Sequence, residues 1–330
     1  MHVEHTITAD GAVGLLGRST EERAFAPIDI AHPSFARNGP AAPESRSSER
    51  TIMTFIQAQL KDRIGTLAFD HYAKRNALGA DLIAEMLGHL DEFVRADVGV
   101  VVIRSASDDR VWSSGHDIAE LPLANLDPLP YNEPIEMLLR AVKRFPAPVI
   151  AMVRGSVWGG AFDLVCACDI VLSDETGAFA VTPAKLGLPY NTSGFLNFMS
   201  RAPLGIVKEM FFTADPISAE RALRAGIVNE VIPEAELEQH TYAMARTIAS
   251  RSTAAVAAAK QAMYELSDAV AIGPNTYERL HGLRRDAYFG AEYREGIEAF
   301  LQKRPPDFEA ARTRTARGGS DNRDGAPTSS

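Results

Sequence analysis

One stretch, Val149 to Cys168, limits what this 330-residue chain can fold into more than any other. Val149-Ile150-Ala151-Met152-Val153 is an unbroken apolar run of the kind that forms a buried strand. Gly155, Gly159 and Gly160 then let the backbone turn sharply, and an apolar helical pattern runs from Ala161 to Cys168. A strand that passes through glycines into a helix leaves free N–H groups at the helix start. Those groups and the positive end of the helix dipole suit a developing oxyanion or another anion. The spacing Gly155-x-x-x-Gly159-Gly160 is not the dinucleotide fingerprint, and without a following Gly-Lys-Ser/Thr it is not a P-loop.

A second stretch turns the hint into a site. Val98–Arg104 is a β-branched run that leads into Val111-Trp112-Ser113-Ser114-Gly115-His116-Asp117-Ile118-Ala119-Glu120-Leu121. Small residues followed by a helix start make another loop N–H available, at Gly115 or His116. Two donors converging on one oxygen form an oxyanion hole, and each commonly contributes about 10²–10³ in rate. His116 with Asp117 and Glu120 is no recognised metal-ligand set, so no metal is expected. Ser113-Ser114-Gly115 is not a nucleophile elbow.

Composition narrows the class. With 46% hydrophobic and 23% charged residues the chain can bury a sizeable core. A formal net charge of −9 argues against nucleic acid or an anionic membrane surface as the main partner. Cys166 and Cys168, two apart on one predicted helix, cannot easily bridge each other, and a reduced, cytoplasmic setting is expected. No apolar run reaches membrane-spanning length. Residues 1–50 hold five arginines, no lysine and seven acidic residues among Ser, Pro, Gly and Ala, and read as a disordered extension rather than a transit peptide.

Along the rest of the chain, strands and helices alternate. Alternation over Met53–Leu60 and Ile64–Asp70 predicts a hairpin around Lys61-Asp62-Arg63, and Gly79–Ala96 carries a helical stripe. Asn125–Pro134, rich in proline and turn residues, predicts a mobile loop over a cleft. Ile135–Phe145, Asn191–Ser200 and Pro203–Phe212 read as helices, and Asp169–Ser173, Phe179–Val181 and Val228–Ile232 as strands. From Ala235 four helical patterns follow without a strand between them, and 310–330 is polar enough to leave unstructured. The expected divisions are therefore 1–50, a core over 51–234, a helical region over 235–309 and a tail.

Lys74-Arg75-Asn76-Ala77-Leu78, Ser114-Gly115-His116-Asp117-Ile118, Gly155-x-x-x-Gly159-Gly160-Ala161-Phe162-Asp163 and Phe300-Leu301-Gln302-Lys303-Arg304-Pro305 occur in this order, and with them the chain resembles the crotonase (enoyl-CoA hydratase/isomerase) superfamily from about Met53 to about Phe308. Within it, Gly115–Ile118, Gly155–Phe162 and Gly187-Leu188-Pro189-Tyr190-Asn191 are similar to the methylmalonyl-CoA decarboxylase branch. The resemblance implies an α/β fold, a ββα spiral core with a C-terminal helical region used in oligomerisation, and a homotrimer or dimer of trimers. It implies an acyl-CoA thioester as substrate, with coenzyme A part of that substrate and no other cofactor. It also implies that the backbone N–H groups of His116 and Gly160 hold an enolate oxygen.

The superfamily's hydratases use two glutamates, and the matching positions here are Asp163 and Pro183. A proline cannot exchange a proton, so the pair needed to add water is broken. Loss of CO₂ needs no base, and the resemblance therefore implies decarboxylation of methylmalonyl-CoA or a close alkylmalonyl-CoA. Tyr190, with Thr182 beside it in the site, is implied to hold the substrate carboxylate. Ser114, His116 and Ile118 are implied around the adenine, and Lys74, Arg75, Lys303 and Arg304 near the phosphates. Trp158 and Phe162, flanking the glycines, are candidates to wall the acyl pocket. Asp163 reads equally as a catalytic group and as a helix-start residue. A hydratase or isomerase, and a non-catalytic acyl-CoA-binding protein, stay open.

Overall fold

The structure, a computed structural model, describes residues 5–8, 11–14, 54–123, 126–267 and 272–318. Within the segment read as an unstructured extension, β1 (His5–Thr8) and β2 (Gly11–Gly14) pair as an antiparallel hairpin. The other residues up to 53 lie outside the described ones. Met1–Ile52 and Met53–Ser330 are separate units.

The second unit opens with the expected hairpin, β3 (Ile56–Lys61) and β4 (Ile64–Phe69). Asp62 and Arg63 both have positive φ, 52° and 60°, as a two-residue turn matched to the strands' twist requires. Helix α1 (Ala80–Arg95) follows and buries Leu82, Ile83, Met86, Leu90 and Phe93, a stripe at three- and four-residue spacing. Each such side chain contributes about 1.5–3 kcal/mol by leaving water.

The chain then winds as a spiral that gives a strand to each of two sheets per turn. β5 (Val100–Ser105) and β6 (Val111–Ser113) come first, then α2 (Pro134–Arg144), β7 (Val149–Val153) and β8 (Ser156–Trp158). Next are α3 (Gly160–Ala167), β9 (Ile170–Asp174) and β10 (Ala178–Ala180). After α4 (Thr192–Arg201) and α5 (Leu204–Thr213) come β11 (Ile217–Ser218), α6 (Ala219–Arg224) and β12 (Glu230–Ile232). The larger sheet has the order β12-β9-β7-β5-β4-β3 and the smaller one β11-β10-β8-β6. This is the ββα spiral of a crotonase-like α/β fold. The short strand β8 was not expected, because Gly155 and Gly159 bracket it so closely that the stretch reads as one turn.

The larger sheet is covered on both faces, as parallel strands require. Val101, Ile103, Ala151 and Val153 face α1, α2 and α3, whereas Val100, Val102, Ile150 and Met152 face α7 (Glu234–Ala249) through Leu237 and Ala245. Helices α8 (Thr253–Ser267), α9 (Pro274–Phe289) and α10 (Ala291–Leu301) complete the predicted helical region. A further helix, α11 (Phe308–Gly318), corrects the reading of 310–330 as unstructured from its start; residues past 318 lie outside the described ones. Polar composition hid this helix from the sequence pattern, although Ala311 in it is buried. Among the described residues no helix is long and apolar enough to cross a membrane.

Candidate active site

The two glycine loops meet. Gly115 has φ 87° and Gly159 φ 51°, conformations that favour glycine. A side chain at Gly115 would run into the Trp158 carbonyl, and its Cβ would stand 3.2 Å from the Gly160 nitrogen. A Cβ at Gly160 would stand 3.4 Å from the His116 nitrogen. The absence of side chains is thus what lets the two nitrogens come together. Gly160 is the first residue of α3, where an N–H has no partner one turn back. His116 forms a parallel bridge with Leu78, in which Leu78 N–H donates to the Gly115 carbonyl and Asp117 N–H to the Leu78 carbonyl. The N–H of His116 therefore points away from that bridge. Gly115 N–H is taken by Ser113 Oγ at 3.2 Å, so of the two candidates on this loop His116 is the donor left available.

Both donors border a cleft whose walls include Ser114, His116, Ile118, Ile135, Gly160, Asp163, Thr182, Pro183 and Tyr190. Tyr190 is not free in it: its hydroxyl donates to Asp163 Oδ2 at 2.8 Å, and Asn197 Nδ2 donates to Oδ1 at 2.8 Å. Lys143 in turn donates to the side-chain carbonyl of Asn197. Burial pushes the Asp163 carboxyl up to about 6 despite those two hydrogen bonds. Burial and the nearby Asp163 charge push the Tyr190 phenol well above its usual value, so it stays a hydroxyl at neutral pH.

A family model described as enoyl-CoA hydratase/isomerase matches residues 59–311. The chain belongs to this family. It is 39% identical to methylmalonyl-CoA decarboxylase of Escherichia coli K12 over 254 residues, 77% of this chain and 97% of that protein. It is 32% identical to the human mitochondrial enoyl-CoA hydratase domain-containing protein 3, covering 82% of this chain and 88% of that one. A solved methylmalonyl-CoA decarboxylase in complex with 2-nitronate-propionyl-CoA superposes with a TM-score of 0.76 at 38% identity, over 77% of this chain and 98% of that one.

Within this family member the cleft gathers most of the residues singled out from sequence, but not all. Lys303 and Arg304 form no part of its wall: Arg304 pairs with Glu295 at 2.5 and 3.1 Å, and Lys303 lies in the turn after α10 with φ 55°. Lys74 is beside the site, its ammonium 2.8 Å from Asp117 Oδ2. Phe162 is turned into the core against Phe179 and Phe198, with ring centroids at 5.5 and 5.3 Å, and neither it nor Trp158 walls the cleft. An alternating helix start explains this, since Gly160 and Asp163 take the open face and Phe162 the other. The loop expected to be mobile is anchored where it is described: Arg284 donates to Asp127 Oδ2 at 2.6 Å and to the Leu129 carbonyl at 2.9 Å, and Arg140 donates to the Tyr131 carbonyl at 2.7 Å.

Two carboxylates were missed. Glu136, buried on α2 and lining the cleft, accepts from Asn191 Nδ2 at 2.5 Å and from Ser193 Oγ at 2.9 Å. Glu133, the residue that precedes α2, stands 2.6 Å from His116 Nε2. The signal for Glu136 was there to read: it is a charged residue beside Ile135 on a helix face whose neighbours Leu138 and Leu139 are apolar.

Proposed function

We propose that this protein decarboxylates methylmalonyl-CoA or a close alkylmalonyl-CoA, without a cofactor beyond the coenzyme A of the substrate, in an oligomer of trimeric symmetry. The observation that carries the reading is that both carboxylates of the cleft are already engaged. Asp163 accepts from Tyr190 and Asn197, Glu136 accepts from Asn191 and Ser193, and proline occupies position 183. Among the described residues that line the cleft, no pair of free carboxylates is left to flank and activate a water. The paired N–H groups of His116 and Gly160 still meet the need of decarboxylation. As the bond from the α-carbon to the carboxylate breaks, its electron pair moves onto the α-carbon and the thioester oxygen. CO₂ leaves, the donors stabilise the oxyanion, and the α-carbon then takes one proton.

Thr182 and Tyr190 both border the cleft, which supports assigning them to the substrate carboxylate. Asp163 and Glu136 make the cleft unfavourable for a further negative charge, which is lost with CO₂. The second reading, hydration of an enoyl thioester, is favoured by the presence of Glu136 as a second carboxylate in the cleft. The purified protein given methylmalonyl-CoA, with no metal, biotin or nucleotide added, should yield CO₂ and propionyl-CoA by mass spectrometry. Given crotonyl-CoA it should add water poorly. Ready hydration with no CO₂ from any malonyl thioester would replace the first reading by the second, and binding of CoA esters without turnover of either would leave a non-catalytic protein.

A further inference from the structure

We propose that the His116 side chain is a positioning residue: a doubly donating imidazolium that clamps the oxyanion loop to Glu133 at the start of α2. Its Nδ1 lies 3.0 Å from the Asp117 carbonyl and its Nε2 lies 2.6 Å from Glu133 Oε1. A carbonyl only accepts, so Nδ1 carries a proton. The proton in the second contact belongs with the imidazole, which is ordinarily a stronger base than a carboxylate. Both side chains are largely buried, 9% and 12% exposed, which spares the pair the screening that weakens surface ion pairs.

The clamp joins the two halves of the oxyanion hole. On one side, His116 carries the first donor between Gly115 and the turn Ile118–Glu120, which Asp117 caps. On the other, Glu133 is followed by Pro134 and Ile135, and the Ile135 methyl occupies the space that a Gly160 side chain would need, directly beside the second donor. Loss of the proton removes one of the two hydrogen bonds and the charge attraction together, and lets the loop move relative to α2. Burial pulls the imidazole down, but the hydrogen bond and charge of Glu133 outweigh it, so the group is held above its usual value. The other charges near it are Glu120 and Asp117 on its own loop, Lys74 paired with Asp117, and Asp163 from α3 and Glu136 from α2, which line the same cleft.

The clamp stands on this geometry alone, whereas its effect on turnover rests on the decarboxylation proposed above, and two readouts keep them apart. The first is the Cε1–H signal of His116 in the full-length protein, assigned by its loss in His116→Gln and followed by NMR from pH 5 to 9 (about the range in which histidine titrates). Its midpoint should lie above the usual value of about 6.5. In Glu133→Gln it should fall by about one pH unit or more, a tenfold loss of proton affinity. The second is kcat on methylmalonyl-CoA, which should decline on the alkaline side with that midpoint and shift with it in Glu133→Gln, with KM less affected. His116→Gln, which keeps a donor but cannot titrate, should lack that decline. A wild-type midpoint below the usual value, or one that Glu133→Gln leaves in place, would overturn the clamp. The NMR shift without turnover of any malonyl thioester would uphold it and remove the decarboxylase reading.

Discussion

At the scale of single residues, the chemistry turns on which carboxylate holds the Tyr190 hydroxyl. It donates to Asp163 at 2.8 Å, and a hydroxyl has one proton to donate. A substrate carboxylate must therefore compete with Asp163 for it. The competition eases when Asp163 is neutral, below about 6. KM for a malonyl thioester should accordingly rise as the pH passes upward through about 6, and Asp163→Asn should flatten that rise while lowering kcat by less than about tenfold. Steady-state kinetics from pH 5 to 8 (about two units around that midpoint) decide it, and an Asp163→Asn enzyme without turnover would show that this carboxyl is needed for the chemistry. The same group affects stability. The folded chain binds this proton more tightly than the unfolded one, so stability falls as pH rises from about 3.8 to about 6, by about 3 kcal/mol. Asp163→Asn should remove that slope from the pH dependence of chemical denaturation. Gly160→Pro tests the donor itself: proline is tolerated at the first position of a helix but has no N–H, so turnover should drop at least about 10²-fold. Because its ring presses on Ile135, the same change beside Ile135→Ala separates crowding from the lost donor.

Between elements, the site is held by α2 gripping α4. Glu136 accepts from Asn191, which caps α4, and from Ser193 in its first turn, and Tyr190 immediately precedes them. Lys143, two turns further along α2, reaches Asn197 and through it Asp163. Glu136→Ala would leave Asn191 without its acceptor and free the segment that aims Tyr190. Melting should show a loss of about 2–4 kcal/mol, and kcat should fall more than tenfold; Glu136→Gln, which keeps one acceptor, should recover part of both. An unchanged kcat in a destabilised Glu136→Ala protein would confine Glu136 to folding. This grip is also where reading the sequence stopped. The glycine turns were legible because positive φ leaves a mark in residue choice, and the strands and helices because burial imposes a period. Glu136 and its partners are 55 and 57 positions apart, a pairing that only the spiral creates. Glu133 and His116, 17 positions apart, meet because the intervening segment folds back over the cleft. Lys303 and Arg304 differ again: a motif marked them, and in this chain Arg304, just past the end of α10, pairs with Glu295 inside that helix.

Across the whole molecule, apolar side chains left on the outside agree with the proposed oligomer. Phe195, Met199 and Leu204 on α4 and α5, Met263 and Leu266 on α8, and Leu283 and Phe289 on α9 are all exposed. Sedimentation should find trimers or hexamers; a monomer at micromolar concentration would refute that part of the proposal. The ends of the chain make a sharper test. Residues 1–52 belong to a unit of their own, so a protein beginning at Met53 should keep its melting temperature and turnover. The other end differs, although the motifs stop near Phe308. There, Ala311 is buried and Arg312 pairs with Glu292 at 2.8 Å. These contacts brace α10. That helix in turn packs closely on the turn Pro183–Leu186: a side chain at Gly296 would collide with Leu186, and one at Gly187 with the Glu292 carbonyl. Pro183 and Leu186 wall the cleft. Ending the chain at Asp307 should therefore do more than shorten it. It should lower the melting temperature by about 2–4 °C for each kcal/mol lost, and raise KM for the thioester more than it lowers kcat. A protein ending at Gly318 should behave as the full chain does. If the two end points prove alike in stability and KM, α11 does not support the cleft, and the family motifs mark the true end of the working structure.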